Sequence, residues 1–414
     1  MKILFVNTSS CHGGAARAAM RIMRGVQQNG VDAEMLVLHK GTSSEDVKPI
    51  SNFIPRNMLY RICDWIAHKV KNKWQYFKWK PYKRTKQDAY MSDLRGTRVH
   101  GAFQKIDYDI VHLHWINERF LDIRELKKIH KPIVWTLHDS WAFCGVCHYF
   151  VECEKYQTHC GTCPMLGSKK ERDLAYEVFE KKLVSYKDLD LHIVTPSRWL
   201  GECAKKSALL GRFPVHVIPN CIDTDLFRPI LDKSAGRPKP LILYGAMNAA
   251  SDSRKGFAYL LKALQLLDQQ GIEAKLAVFG ADQQDLPMAF KHIEVLFLGY
   301  VNDNRVLADV YTQADVMVVP SLNENLSNTI MESLSCGTPV VGFDIGGNSD
   351  MIDHKQNGYL AAERDCDDLA RGIEWCLTSN TDGAMSKKAR EKVMKNFTIE
   401  IVSEQYKRFY ESII

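Results

Sequence analysis

Nowhere in its 414 residues does the sequence reach the roughly 18–20 uninterrupted apolar residues that a membrane-spanning helix requires. Its opening, MKILFVNTSS, carries one lysine and an apolar run shorter than the roughly 7–15 residues of a secretory core. It reads as the first β-strand of a cytoplasmic protein. Charge of one sign is scarce as well. A net charge of +6 over this length is too small for a dedicated nucleic-acid binder, whose basic excess is larger and gathered on one face. There is no low-complexity tract, and no repeat with a period of roughly 20–50 residues. With 45% hydrophobic and 25% charged residues, the composition excludes a disordered chain, a collagen-like repeat and a mucin-like stalk.

What is present is an alternation of strand and helix signals, twice over. Strands are expected at 3–6, 31–38, 109–114, 132–138 and 191–195, with helices at 15–28 and 118–129, and Ser197 is placed to cap a helix after Pro196. The stretch DTDLFRPILDKSAGRPKP at 223–240, with three prolines, reads as a linker. The alternation then restarts, with strands expected at 241–245, 275–279, 293–298, 316–319 and 339–343, a helix at 255–267 and a helical tail at 365–414. Two α/β halves joined by a linker imply two Rossmann-like parallel-sheet domains facing across a cleft. The expected division is 1–215, with a cysteine-rich insertion at 144–163, then 216–395, then a terminal helix at 396–414 packing back toward the first domain.

Two loops could hold an anion. Gly13 and Gly14 follow the first strand and precede a helix, where small residues admit a ligand to the backbone and the helix start offers free N–H groups. Neither G-x-G-x-x-G nor G-K-[ST] is present, so this is neither a dinucleotide fingerprint nor a P-loop; a plain tight turn is the alternative. The second loop lies in PSLNENLSNTIMESLSCGTPVV. Glu324 falls beyond a buried strand and Glu332 on the helix that starts near Ser327 or Asn328. In open α/β sheets that strand end faces the ligand crevice, so a helical carboxylate could accept from ribose hydroxyls and a loop carboxylate could hold a sugar. By spacing alone, a capping acid and a solvated helical Glu are the better reading.

The second loop resembles the Glu, seven residues, Glu signature of retaining glycosyltransferases of family 4, which have the GT-B fold. The resemblance spans most of the chain. It takes in Gly13-Gly14, TLHDSW from Thr136 to Trp141, IPNCID from Ile218 to Asp223, GAMNAASDSRKG from Gly245 to Gly256 and CGTPVVGFDIGG from Cys336 to Gly347. The bacterial exopolysaccharide branch is the most similar. The resemblance implies transfer of a sugar from a nucleotide-sugar donor, with retention, to a glycan or lipid-linked acceptor. Glu332 would bind the donor ribose and Glu324 the donor sugar. His138 would contact the sugar near its hydroxymethyl side, and the Gly13-Gly14 loop would lie against diphosphate and sugar. Lys255 would pair with the diphosphate, with backbone donors around Leu326, Ser327 and Asn328. Cations and N–H groups aimed at a departing diphosphate make chemical sense.

Two departures stand out. The family's Gly-Arg is Gly245-Ala246 here, with Arg254 beside Lys255 as a candidate replacement; the Gly-Phe-Gly after the first Glu is Asn325-Leu326-Ser327. His138-Asp139 invites a general-base reading, but this enzyme type resembles one whose leaving phosphate serves as base, and no Ser-His-Asp spacing is present. His112 and His114 share one face of a strand without a third ligand nearby, which fits a structural role.

Five of the twelve cysteines lie between Cys144 and Cys163. In a long chain without an export signal, such clustering points to metal or redox chemistry over structural disulfides. Cys144 and Cys147 form one C-x-x-C, and Cys160 and Cys163 another. The resemblance favours Cys147, Cys153, Cys160 and Cys163 as a structural zinc set, with His148 or His159 able to substitute; free thiols and a redox pair are the alternatives. No metal or cofactor is required for the transfer itself. Between Lys69 and Lys86 the chain reads KVKNKWQYFKWKPYKRTK, basic and aromatic without an acid. That composition suits an anionic bilayer surface on the inner face of the plasma membrane, with a solvated loop as the alternative and no fold signal for nucleic acid. Rival functions are a nucleotide-sugar epimerase of similar architecture and a non-catalytic accessory that binds nucleotide sugar or membrane.

Overall fold

The structure is a computed structural model, and it describes residues 1–53, 66, 70, 82, 99–150, 152–230, 239–245, 252–281, 290–380 and 382–414. Apart from Val70 and Tyr82, the basic aromatic segment lies outside the described residues, as do 231–238 of the expected linker and 246–251. Among the described residues no helix is long and apolar enough to cross a membrane. The chain divides into two compact units. The first comprises 1–196, 200–218 and 403–414; the second comprises 197–199 and 219–402.

The first unit holds a seven-stranded parallel sheet. Its strands are β1 (Lys2–Ser9), β2 (Asp32–His39), β3 (Val47–Pro49), β4 (Ile110–Leu113), β5 (Ile133–Thr136), β6 (Leu191–Thr195) and β7 (Val215–Val217), in the order β3-β2-β1-β4-β5-β6-β7. Every residue of β1 except Lys2 is buried, as expected of a parallel strand covered on both faces. Helix α1 (Gly14–Gln28) buries Ala16, Ala18 and Ala19 with Ile22, Met23 and Val26, giving it a flat, small-residue face. Helix α2 (Leu174–Tyr186) follows the cysteine-rich stretch.

The second unit repeats the plan with six parallel strands: β8 (Leu241–Gly245), β9 (Ala274–Phe279), β10 (Ile293–Gly299), β11 (Val316–Val319), β12 (Val340–Phe343) and β13 (Gly358–Ala361), ordered β10-β9-β8-β11-β12-β13. Alternate residues feed two cores. Ile242, Tyr244, Leu276, Val278, Val316 and Val318 join one, and Leu243, Ala277, Phe279, Met317 and Val319 the other. Helices α3 (Phe257–Gln269), α4 (Asn304–Gln313) and α5 (Asn328–Ser335) connect the strands.

Two expectations change. The helix expected at 118–129 is only a 3-10 stretch, Ile123–Lys128, because Glu118 and Arg119 take left-handed φ of 56° and 62°. The helix expected from Lys255 begins at Phe257, after a separate 3-10 turn Ser253–Lys255. Ser197 stands directly before the helix Arg198–Lys206, as expected; its hydroxyl donates to Asn325 Oδ1 at 2.7 Å, and Asp350 Oδ2 takes the Arg198 N–H at 2.7 Å. Strands β3, β7 and β13 were not anticipated.

Candidate functional site

In a parallel sheet the chain reverses direction of winding where the strand order jumps, and ligands enter at the carboxyl ends of the two strands flanking that point. The jumps here fall between β1 and β4 and between β8 and β11. Most of the candidate residues follow one of those four strands.

In the second unit, Asp252 and Arg254 form a forked pair, with Nε and Nη2 donating at 3.0 and 2.7 Å. Arg254, the expected replacement phosphate cation, is thus paired with Asp252 in this structure. The turn ends at Gly256, with φ +72°, where a Cβ would lie 1.8 Å from the Pro320 carbonyl oxygen. Only glycine lets this turn press on the loop after β11, a contact completed by Leu322 N–H donating to Arg254 O at 2.8 Å. Lys255 Nζ then reaches Glu324 Oε1 at 2.5 Å, and Ser321 Oγ donates to the same oxygen at 3.0 Å. From the other side, a Cβ on Gly346 would stand 1.9 Å from Glu324 O, and one on Gly347 would stand 1.8 Å from Asn325 O. The backbone carrying Glu324 is thus gripped by the loops that follow β8 and β12.

Glu332 lies on α5 and is 3% exposed, so it is not a solvated helical acid. Its Oε2 accepts from the Tyr311 hydroxyl of α4 at 3.1 Å. The Leu326 side chain belongs to the apolar core with Ile330 and Met331, so only its backbone can serve a ligand. Ser327 is the N-cap of α5 and Asn328 its first residue. The start of α5 has neither a side-chain cap nor an acid in its first turn, and the same is true of α1, whose N-cap is Gly13 at φ 87°. Both helix starts leave N–H groups and a positive dipole end for an anion.

In the first unit, His138 lies two residues beyond β5, and its Nε2 meets His114 Nδ1 at 2.9 Å. His114 stacks on Phe5 and lies 4.2 Å from the His112 ring. His112 is satisfied at both nitrogens, by Tyr410 Oη at 2.6 Å and Thr136 Oγ1 at 2.8 Å. The expected isolated pair is thus a file of three rings. Burial holds His112 and His114 well below the ordinary histidine value and pushes His138 down to about 4, against the pull of Asp139. All three are neutral at pH 7. Asp139 accepts from His148 Nδ1 at 2.7 Å, Trp115 Nε1 at 3.0 Å and Trp141 N–H at 2.9 Å. Burial raises its pKa, but these partners outweigh that and hold it below the ordinary carboxylate value. Asp139 points to His148, so a His138–Asp139 base pair is not what these contacts build.

A family model described as Glycosyltransferase Family 4 matches residues 12–226, more than half of the chain. The chain belongs to glycosyltransferase family 4. A second model, described as Glycosyl transferases group 1, matches residues 238–379. Among relatives, an Escherichia coli K12 glycosyl transferase named provisionally for colanic acid biosynthesis is 23% identical over 325 residues, covering 74% of this chain and 76% of its own. An Escherichia coli protein named UDP-Gal:alpha-D-GlcNAc-diphosphoundecaprenol alpha-1,3-galactosyltransferase is 22% identical over 227 residues, 51% of this chain and 58% of its own. The sucrose-phosphate synthase of Thermosynechococcus elongatus shares the fold, with a TM-score of 0.65 at 18% identity over 99% of this chain and 98% of its own. The two Rossmann-like sheets are those of the GT-B class.

In this glycosyltransferase, Cys144, Cys147, Cys153, Cys160 and Cys163 line one cavity of about 20 Å³, enough for roughly one water-sized occupant. The donor set suits zinc, but it is not assembled as a ligand set. Among the described residues no three Cys, His, Asp or Glu side chains form a metal-ligating group. The Cys147 thiol hydrogen-bonds Cys163, and Gly145 N–H donates to Cys160 Sγ at 3.2 Å. His159 is engaged at both ring nitrogens, by Glu180 at 2.6 Å and Cys160 O at 2.7 Å, whereas His148 is held by Asp139 through Nδ1 and its buried Nε2 has no partner among the described residues. Beneath the cluster, the fully buried Lys182 donates to the carbonyls of Trp141, Cys144 and Gly145.

Sequence reasoning missed Tyr311, Ser321 and Lys182, and gave His114 a structural role without its contact to His138. Strand adjacency could have found that contact, because β4 and β5 pair and both end at the same sheet edge. Lys182 sits in a Lys-Lys pair that reads as a surface.

Proposed function

We propose that this chain moves a glycosyl group from a nucleoside-diphosphate sugar to a glycan or lipid-linked acceptor in bacterial surface-polysaccharide synthesis, with retention at the anomeric carbon. The observation that carries the reading is the construction after β8 and β11. There a lysine, two carboxylates and an uncapped helix start come from the elements flanking one switch point. Glu332 accepts from the ribose hydroxyls, and its Tyr311 partner orients the carboxylate. When the bond between the anomeric carbon and the phosphate oxygen breaks, charge gathers on the leaving diphosphate. Lys255 and the first N–H groups of α5 meet that charge, and fixed donors of this kind stabilise it without reorganising. Binding of the diphosphate would draw Lys255 from Glu324, freeing that carboxylate for the donor sugar. By the family resemblance, Gly13 and Gly14 face the diphosphate and His138 the donor sugar. The relatives' names support the donor class and the polysaccharide setting.

A thermal-shift panel with UDP-, GDP-, ADP- and dTDP-sugars tests the donor site. A donor at about 100 times its Kd stabilises the fold by roughly 2.7 kcal/mol, a rise of several degrees. A shift with one nucleotide class is expected; no shift with any of them overturns the reading. The proposal extends to peripheral attachment at the cytoplasmic membrane face through the segment between Lys69 and Lys86. Unchanged binding to anionic vesicles after neutralising its lysines would remove that extension. Structural zinc at Cys147, Cys153, Cys160 and Cys163 is a further extension that requires these thiols to rotate into a ligand set. About one zinc per chain in protein prepared without chelator supports it, and its absence removes it.

A further inference from the structure

The file of histidines that runs from His112 in β4 to His114 and His138 beyond β4 and β5 fixes where their protons lie. His112 has a hydroxyl on each nitrogen and makes no demand on its neighbour. His114 is 2% exposed, and its backbone is pinned by His114 N–H donating to Val6 O at 2.9 Å and Trp135 Nε1 donating to His114 O at 3.0 Å. Its Nδ1 faces His138 Nε2 at 2.9 Å, while among the described residues its Nε2 is buried without a hydrogen-bond partner. A neutral imidazole carries one N–H and one lone pair. A buried donor left unpaired is rarer and costlier than a buried acceptor left unpaired. The lone pair therefore belongs on His114 Nε2 and the proton on Nδ1. One hydrogen lies between the two rings, so His138 Nε2 is the acceptor and its own proton sits on Nδ1.

We propose that His114 is a positioning residue: its Nδ1–H donates to His138 Nε2 and holds His138 in the Nδ1–H tautomer, so that His138 meets the donor sugar as a hydrogen-bond donor and not as a base. The sugar contact rests on the function proposed above; the tautomer does not. The neutral state of all three rings at pH 7 is consistent with this chain of bonds. A hydroxyl oxygen or a phosphate oxygen is the chemistry that a neutral N–H of this kind recognises.

Long-range ¹H–¹⁵N correlation spectra of the histidine-labelled full chain at pH 7 read the tautomers directly. The expected spectrum has His138 protonated on Nδ1 with a bare Nε2. His114→Phe should let His138 populate the Nε2–H form and raise the KM for the sugar nucleotide about tenfold, the loss of roughly one oriented hydrogen bond. His114→Asn, whose amide can donate from near the Nδ1 position, should restore both. A merely structural role would lower the yield of folded protein without moving the tautomer. Wild-type His138 protonated on Nε2 would overturn the proposal, as would an unchanged His138 tautomer in folded His114→Phe. The wild-type spectrum needs neither a folded variant nor a substrate. An absence of turnover with every sugar nucleotide would therefore count against the proposed function and leave the tautomer to be judged by the spectrum.

Discussion

Lys182 is the buried charge whose removal can be predicted most closely. Its side chain is 0% exposed, lies 3.8 Å from the Trp141 ring centroid and donates to three backbone carbonyls. Burial pushes its pKa from 10.5 down to about 7, partly opposed by nearby cysteines and Asp139. The sign follows from proton uptake. Between about pH 7 and 10.5 the unfolded chain binds a proton that the folded chain does not, so stability rises with pH across that window. Below pH 7 the cost of burying the ammonium is fully present; above 10.5 it is gone. A depression of this size corresponds to about 5 kcal/mol, or about 1.4 kcal/mol per pH unit. Lys182→Met removes that term but also removes the lysine's hydrogen bonds to three buried carbonyls, at about 1–3 kcal/mol each. Near pH 7 the two effects oppose, and wild type and variant should lie close in stability. By pH 10 wild type should lead by several kcal/mol. Urea unfolding followed by tryptophan fluorescence at each pH, taken as the difference between the two proteins, isolates this lysine from other titrations. A difference that stays flat from pH 7 to 10 would mean that the three carbonyls hold the ammonium charged, and would refute the argument.

Three further outcomes follow from named contacts. Glu332→Gln should weaken donor binding by about tenfold, because a charged acceptor for ribose becomes a neutral one; titration calorimetry giving wild-type affinity would rule out the ribose role. Gly347→Ala places a Cβ 1.8 Å from Asn325 O and 2.6 Å from Ser197 Cβ, which should cost about 1–3 kcal/mol and lower Tm by several degrees. An unchanged Tm would show that the loop after β12 does not grip the one after β11. Tyr410→Phe strips a partner from buried His112 and should cost about 1–3 kcal/mol of stability, measured by denaturant midpoint.

Much of the fold was legible because parallel strands buried on both faces are written as short apolar runs. The expected strands 191–195, 241–245 and 316–319 match Leu191–Thr195, Leu241–Gly245 and Val316–Val319 residue for residue. The strands that escaped, β3, β7 and β13, are three or four residues long and all lie at sheet edges, where burial on one side writes a weaker pattern. The positions of Glu324 and Glu332, one in a loop and one on a helix, were likewise readable from the apolar run and the loop before it. The contacts between remote elements were not. Tyr311, His114 and Lys182 reach their contacts from elements remote in sequence, and nothing local to a tyrosine or a lysine says that it will be buried. The cysteines drew together as their spacing implied, but spacing carries no information about which rotamers the thiols adopt.

The last dozen residues have a consequence for how the protein is made. Residues 403–414 belong to the first unit, whose earlier segments end at 218. They bring Tyr410 to His112, Tyr406 to Thr136 at 3.1 Å and Ser403 to Asn29 at 2.9 Å. At about 5–20 residues per second, roughly 10–40 s of translation separate residue 218 from residue 403. Throughout that interval the nascent first unit lacks the Tyr410 hydroxyl, one of the two that satisfy His112. The second unit, complete in sequence by residue 402, can reach its native state before the first. The histidine file gains its last partner only once Tyr410 has been made, so a chain stopped before that residue lacks the finished setting of His112.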